Sequence, residues 1–286
     1  MKKFLLISLL AIATITCKKK DVVPDPTDNS LPAYTATNLA YGNDSLQKLD
    51  VYLPAGRNLQ ESKVIILIHG GGWSQGDKAD LRLYVDTLKR RLPDYAIFNI
   101  NYRLATGATN LFPTQENDVK AAIEFIHSKR AEFYLTDKYV LLGASAGAHL
   151  ALLHAYKNII PVRIKAVVDF YGPTELVSLY NDPLNPLIPL LLTQVTGGSP
   201  STHAFMYQQS SPVNFVNNQT PPTMILQGGL DILVSPSQAV LLKNTLDANA
   251  VFNQYVYYPS EGHVWIGPNL TDSFNKIAAF LSATVN

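Results

Sequence analysis

Gly143-Ala144-Ser145-Ala146-Gly147 sets a serine among four small residues, and a serine so placed is a candidate nucleophile. A sharp strand-to-helix turn strains the backbone at such a serine, and small neighbours let strand and helix close on it. Taken alone, the pentapeptide is equally compatible with a glycine-rich turn carrying an incidental serine. A serine hydroxyl is a weak nucleophile at neutral pH and needs a base, usually a histidine, whose pKa lies near working pH. Among six histidines, His127 and His154 read as surface or packing residues on helices, and His149 falls one helical turn beyond Ser145. His203 lies in an irregular stretch and His69 opens a glycine run. His263, in Ser260-Glu261-Gly262-His263 after the last predicted strand, is the candidate base. The imidazole must in turn be oriented by a carboxylate. Asp231, after Gly228-Gly229-Leu230, is preferred to Asp169, which sits inside a strand run and is expected to brace a loop. It is also preferred to Glu261, which would need a tight bend to reach Nδ1 of His263.

Acyl transfer also needs hydrogen-bond donors aimed at a developing oxyanion. His69-Gly70-Gly71-Gly72-Trp73 offers a run of backbone N–H groups with no side chain to obstruct a substrate. A plain turn would waste the freedom that three glycines lose on folding, so close approach to the backbone is the better explanation.

The elements that position these residues alternate. Strands are predicted over 35–41, 46–53, 64–69, 95–102, 138–142, 164–171, 223–227 and 252–258, and helices over 78–91, 114–133, 146–156, 235–248 and 271–284. The first two strands flank Gly42-Asn43-Asp44 and predict an antiparallel hairpin. Apolar strands alternating with helices imply a three-layer α/β/α sandwich around a mostly parallel sheet of about eight strands. In such a sheet ligands bind outside the carboxyl ends of the strands, where Ser145, Asp231 and His263 would all sit. Between Gly172 and Pro221 the rhythm breaks: six prolines and a leucine-rich piece predict a small cap insertion, about 173–220, over that edge.

The chain has 286 residues, 47% of them hydrophobic and 16% charged, enough for one domain with a large core. Net charge is +1, and no basic tract tracks a phosphate backbone, which argues against nucleic acid as a partner. Residues 1–16 read as a signal peptide: Lys2 and Lys3 precede an apolar stretch too short to span a bilayer. Cys17 is the lone cysteine. Its position predicts acylation of a bacterial lipoprotein, periplasmic or at the cell surface, with residues 17–33 as a tether to the membrane-bound lipid anchor. Cleavage after Ala11-Ile12-Ala13 would instead release a soluble secreted protein.

The motifs HGGGW, GASAG, GGLD around Asp231 and EGH around His263 together resemble the α/β-hydrolase superfamily, in its hormone-sensitive-lipase-like and exported bacterial carboxylesterase branch, over roughly residues 34 to 284. The resemblance implies a serine hydrolase cleaving carboxylic esters without metal or organic cofactor. Gly71, Gly72 and Ala146 would donate to the oxyanion and His69 would order the loop. Trp73 and Trp265 are candidates for the substrate pocket, with packing the alternative role for Trp73. Ala144 departs from the charged or larger residue of many relatives, which weakens placement in a subfamily. Short-acyl or carbohydrate-linked acetyl and feruloyl esters are the expected substrates. The alternatives are amide hydrolysis, as in kynurenine formamidase or prolyl peptidases, and a non-catalytic binding protein on the same fold. Oligomeric state is not read from the sequence.

Overall fold

The computed structural model describes residues 31–285. Cys17, the predicted signal peptide and most of the predicted tether lie outside the described residues. Eight strands form one sheet: β1 (Tyr34–Ala40), β2 (Lys48–Leu53), β3 (Lys63–Ile68), β4 (Tyr95–Ile100), β5 (Tyr139–Ala144), β6 (Ile164–Phe170), β7 (Thr223–Gly228) and β8 (Asn253–Tyr258). Their order is β1-β2-β4-β3-β5-β6-β7-β8. β1 and β2 form the expected antiparallel hairpin, β2 runs antiparallel to β4, and every later pairing is parallel.

The helices are α1 (Arg82–Arg91), α2 (Thr114–Ser128), α3 (Arg130–Phe133), α4 (Ala146–Lys157), α5 (Leu176–Asn181), α6 (Ile188–Thr196), α7 (Ala204–Gln209), α8 (Pro236–Ala248) and α9 (Gly267–Thr284). Side chains alternate across a strand, and β3 shows the result. Val64, Ile66 and Ile68 join a core with residues of α2, α4 and α8, while Ile65 and Leu67 join a second core with residues of α1 and α9. Both sheet faces are therefore covered, as continuous apolar strands require, and the observed architecture is the predicted three-layer sandwich. Three helices differ from expectation. The one predicted over 78–91 opens as a 3₁₀ turn at Lys78–Leu81 before α1. The helix predicted over 114–133 divides at Lys129 into α2 and α3. α9 begins four residues earlier than predicted, because Pro268 occupies its first turn, where a missing N–H costs nothing.

The segment between β6 and β7 folds into α5, α6, α7 and a 3₁₀ turn at Pro212–Phe215. Among the described residues, no helix is long and apolar enough to cross a membrane.

Candidate active site

Ser145 stands between β5 and α4 with φ 54° and ψ −122°, a left-handed backbone that costs a non-glycine residue of order 1 kcal/mol or more. Neighbouring contacts hold it there. Its N–H donates to the carbonyl of Phe170 at the end of β6 (2.8 Å), and its own carbonyl accepts from the N–H of His149 (3.0 Å). Gly147 cannot carry a side chain, since a Cβ would fall 2.1 Å from the carbonyl oxygen of Ile68. The turn thus packs directly onto the neighbouring strand, which raises the serine hydroxyl above the carboxyl edge of the sheet.

Two loops from that edge reach the hydroxyl. The Ser145 hydroxyl lies 2.9 Å from Nε2 of His263, and Nδ1 of His263 lies 2.7 Å from Oδ2 of Asp231. Asp231 is 1% exposed, so its charge needs several partners. Its Oδ1 accepts from the N–H groups of Leu233 and Val234 (both 2.9 Å), and Oδ2 also accepts from the Gln227 amide (3.2 Å). With the carboxylate fixed, His263 carries its proton on Nδ1 and turns the lone pair of Nε2 toward the serine. The rival acids are engaged elsewhere: Asp169 accepts from the N–H of Gly172 (2.7 Å) and Glu261 from the amide of Asn269 (2.6 Å).

The glycine loop follows β3 and takes left-handed conformations at Gly71 (φ 102°), Gly72 (φ 57°) and Trp73 (φ 59°). At Gly71 a Cβ would meet the carbonyl oxygen of Gln75 at 2.2 Å, so only glycine fits. Among the described residues, the N–H groups of Gly71, Gly72 and Ala146 enter no turn or loop hydrogen bond within the protein. His69 is buried beneath this loop, stacked on Tyr102 (4.4 Å between centroids), with Nδ1 donating to the carbonyl of Gly70 (2.7 Å).

Two cavities meet at Ser145. A small apolar one of about 120 Å³ runs beneath α6 and is walled by Trp73, Leu179, Ile188, Leu191, Leu192 and Val234. A wider groove of about 470 Å³ opens past Gly71, Ser74, Gln75, Asp80, Tyr84 and Tyr171. Leu191 and Leu233 border both. Trp73 thus reaches a cavity wall, although it is 2% exposed. The other tryptophan requires a correction. Trp265 lines neither cavity; it is 3% exposed, packs between Phe170, Tyr171 and Tyr258, and donates its indole N–H to Ser273 of α9 (3.0 Å). It belongs to the core between the sheet and α9, and so large an apolar side chain gains more from that core than from an open pocket.

Tyr171 escaped the sequence reading. Its ring lies 4.7 Å from that of His263, and its hydroxyl lies 3.3 Å from that of Tyr84, so it buttresses the imidazole. The signal in the sequence is its position one residue beyond β6, on the same edge as Ser145. Among the remaining histidines, His127 pairs loosely with Asp137 (3.7 Å) and His203 bonds to Thr202 at the surface. His149 and His154 are fully buried, which pushes each pKa down to about 4, while burial raises Asp169 to about 7.

These three buried groups set a test of acid stability. Between about pH 4 and 6.5 the unfolded chain binds protons on His149 and His154 that the folded state refuses, and the folded state keeps one on Asp169 that the unfolded chain releases. The net of one extra proton on the unfolded chain means their stabilisation is complete near pH 6.5. It falls by about 1.4 kcal/mol per unit as pH drops toward 4. Asp169→Asn removes the opposing proton and should roughly double that slope. Urea unfolding at pH 4.5, 5.2 and 6.0 checks this; equal slopes would mean that Asp169 is already ionised when folded.

A profile of the BD-FAE family matches residues 49–246. The chain is 25% identical over 260 residues to esterase LipC of Mycobacterium tuberculosis, covering 85% of this chain and 63% of LipC. It therefore spans less than two thirds of that relative. A bifunctional GH43-CE protein of Bacteroides eggerthii superimposes with a TM-score of 0.75 at 25% identity, over 87% of this chain and 38% of that one. A truncated carbohydrate esterase from gut microbiota shares the fold at 24% identity and a TM-score of 0.75, over 87% of this chain and 95% of the other. The family match covers well over half of the sequence and includes both the glycine loop and the serine turn: the chain belongs to the BD-FAE family, a family of α/β-hydrolase esterases.

Proposed function

We propose that this protein is a serine esterase acting through an acyl-enzyme on short-acyl esters, with Ser145, His263 and Asp231 as its catalytic triad. The observation that carries the reading is the continuous hydrogen-bonded relay from the Ser145 hydroxyl through His263 to Asp231, opening onto a small apolar cavity. Ser145 Oγ attacks the ester carbonyl as Nε2 of His263 takes its proton, and Asp231 stabilises the imidazolium. The carbonyl oxygen becomes an oxyanion held by the N–H groups of Gly71, Gly72 and Ala146. His263 then returns the proton to the departing alcohol. Water repeats the sequence on the acyl-enzyme, releasing the acid and restoring the serine.

The cavity of about 120 Å³ is well below the several hundred Å³ of drug-sized ligand sites, which supports an acetyl or similarly short acyl group there. The wider groove, with Ser74, Gln75 and Asp80 on its wall, supports a hydroxyl-rich alcohol such as an acetylated sugar, in keeping with the GH43-CE relative. A feruloyl group is too bulky for the apolar cavity and would have to lie in the groove.

On p-nitrophenyl acetate, butyrate and octanoate, kcat/KM is expected to fall at least tenfold from acetate to octanoate, with methyl ferulate slower than acetate and p-nitroacetanilide inert. A preference for octanoate would overturn the short-acyl assignment, and faster anilide cleavage would move the protein to amide hydrolysis. A fluorophosphonate probe should label Ser145 in the folded protein; no labelling would favour a binding protein without catalysis.

A further inference from the structure

His149 joins three parts of the site: the serine turn, the glycine loop and the insertion between β6 and β7. It is fully buried on the first turn of α4, and its backbone N–H closes the turn onto the carbonyl of Ser145 (3.0 Å). Its Nδ1 lies 3.1 Å from Nε1 of Trp73, the residue that ends the glycine loop, and its Nε2 lies 2.6 Å from the carbonyl oxygen of Ser210, just after α7 in the insertion. An indole nitrogen only donates and a carbonyl only accepts. Nδ1 therefore accepts, Nε2 carries the proton, and a single neutral tautomer satisfies both ends.

The loop has reason to need such a tie. Gly72 and Trp73 are both left-handed, and Trp73 pays for that conformation with a side chain attached. Besides the indole bond, Trp73 is held by the Ala105 N–H on its carbonyl (2.9 Å) and by edge contacts with Phe112 and His149. Oxyanion donors act through fixed direction: a loop free to turn by a few tenths of an ångström loses transition-state stabilisation while still binding substrate.

We propose that His149 is a positioning residue that holds the glycine loop in its oxyanion-binding conformation by tying Trp73 to the insertion at Ser210. The assignment rests on the esterase reading above. Burial keeps the ring neutral at working pH, with Lys157 acting in the same direction, so the lone pair of Nδ1 stays available to the indole.

The test compares His149→Phe, which keeps a ring but deletes both bonds, with His149→Gln, whose amide offers one acceptor and one donor. The phenylalanine variant should lose about 10- to 100-fold in kcat on p-nitrophenyl acetate with KM within about twofold, since only a transition-state interaction is weakened. Affinity for a trifluoromethyl ketone, whose adduct with Ser145 bears an oxyanion, should fall by the same factor. The glutamine variant should recover most of both. Trp73→Phe removes the same bond from the other end, so it should show a similar loss, and the double variant should be little worse than either single one. If His149→Phe does not fold, Trp73→Phe alone carries the comparison. Unchanged kcat in folded variants, additive losses, or a kcat loss that glutamine fails to restore would overturn the proposal. A wild-type protein inert toward every ester would instead sink the underlying activity, so the two failures are distinguishable.

Discussion

Ser145→Ala is expected to cut kcat on p-nitrophenyl acetate by about 10⁵- to 10⁶-fold while leaving the protein folded and KM within about threefold. The loss is large because the substitution removes the atom proposed to form the acyl-enzyme, and among the described residues no other hydroxyl shares the Nε2 lone pair of His263. Folding should survive, since alanine leaves the bonds of the Ser145 backbone to Phe170 and His149 in place. The left-handed φ of 54° is equally strained for either side chain. The residue freed of its partner, His263, is partly exposed and can turn to water. What survives should be the contribution of the glycine loop and of binding, a residual acceleration of about 10³ over water. Turnover of the purified variant, compared with wild type whose active-site concentration is set by fluorophosphonate titration, checks it: a residual rate above one per cent of wild type would put the nucleophile on another residue.

The order and type of the eight strands and of the helices outside the insertion could be read from the sequence, because parallel strands buried on both faces are continuous apolar runs and crossover helices must separate them. The carboxyl-edge residues were legible for the same reason. Ser145, Asp231 and His263 each follow a predicted strand directly, and topology alone brings such loops together. Lateral contacts were not legible. Tyr171 meets His263 through a left-handed turn of its own (φ 47°), which no local pattern announces. Trp265 belongs to the core rather than to a pocket because its partners, Phe170, Tyr171, Tyr258 and Ser273, come from three separate parts of the chain. His149 looked too far along its helix to matter, yet one turn of α4 is the distance from the serine to the underside of the glycine loop. The insertion shows the limit most clearly: its prolines marked an irregular segment, while the way α6 hangs Leu191 and Leu192 over the serine follows from packing against the domain below.

Asp231→Asn should lower kcat by about 10⁴-fold, and the reason lies in which way the new amide must face. Oδ1 of Asp231 accepts two backbone N–H groups, from Leu233 and Val234. Those donors fix the amide oxygen on their side, because the opposite orientation would set N–H against N–H. The NH₂ group then points at Nδ1 of His263, which in wild type donates to this position at 2.7 Å. Two donors cannot share that bond, so His263 must give up the proton on Nδ1 and carry it on Nε2. In that tautomer Nε2 has no lone pair to take the proton of Ser145, and the first step stalls although every heavy atom keeps its place. The Gln227 amide gives up its bond to this carboxylate but keeps the carbonyls of Gly228 (3.1 Å) and Val234 (3.3 Å) as acceptors, a loss of about 1 kcal/mol. Unfolding temperature should therefore drop by a few degrees, far too little to account for the rate. Parallel measurement of kcat, fluorophosphonate labelling rate and thermal unfolding separates the two effects: labelling should slow along with turnover. A variant that kept more than a tenth of wild-type kcat would show that the carboxylate does not set the tautomer of His263.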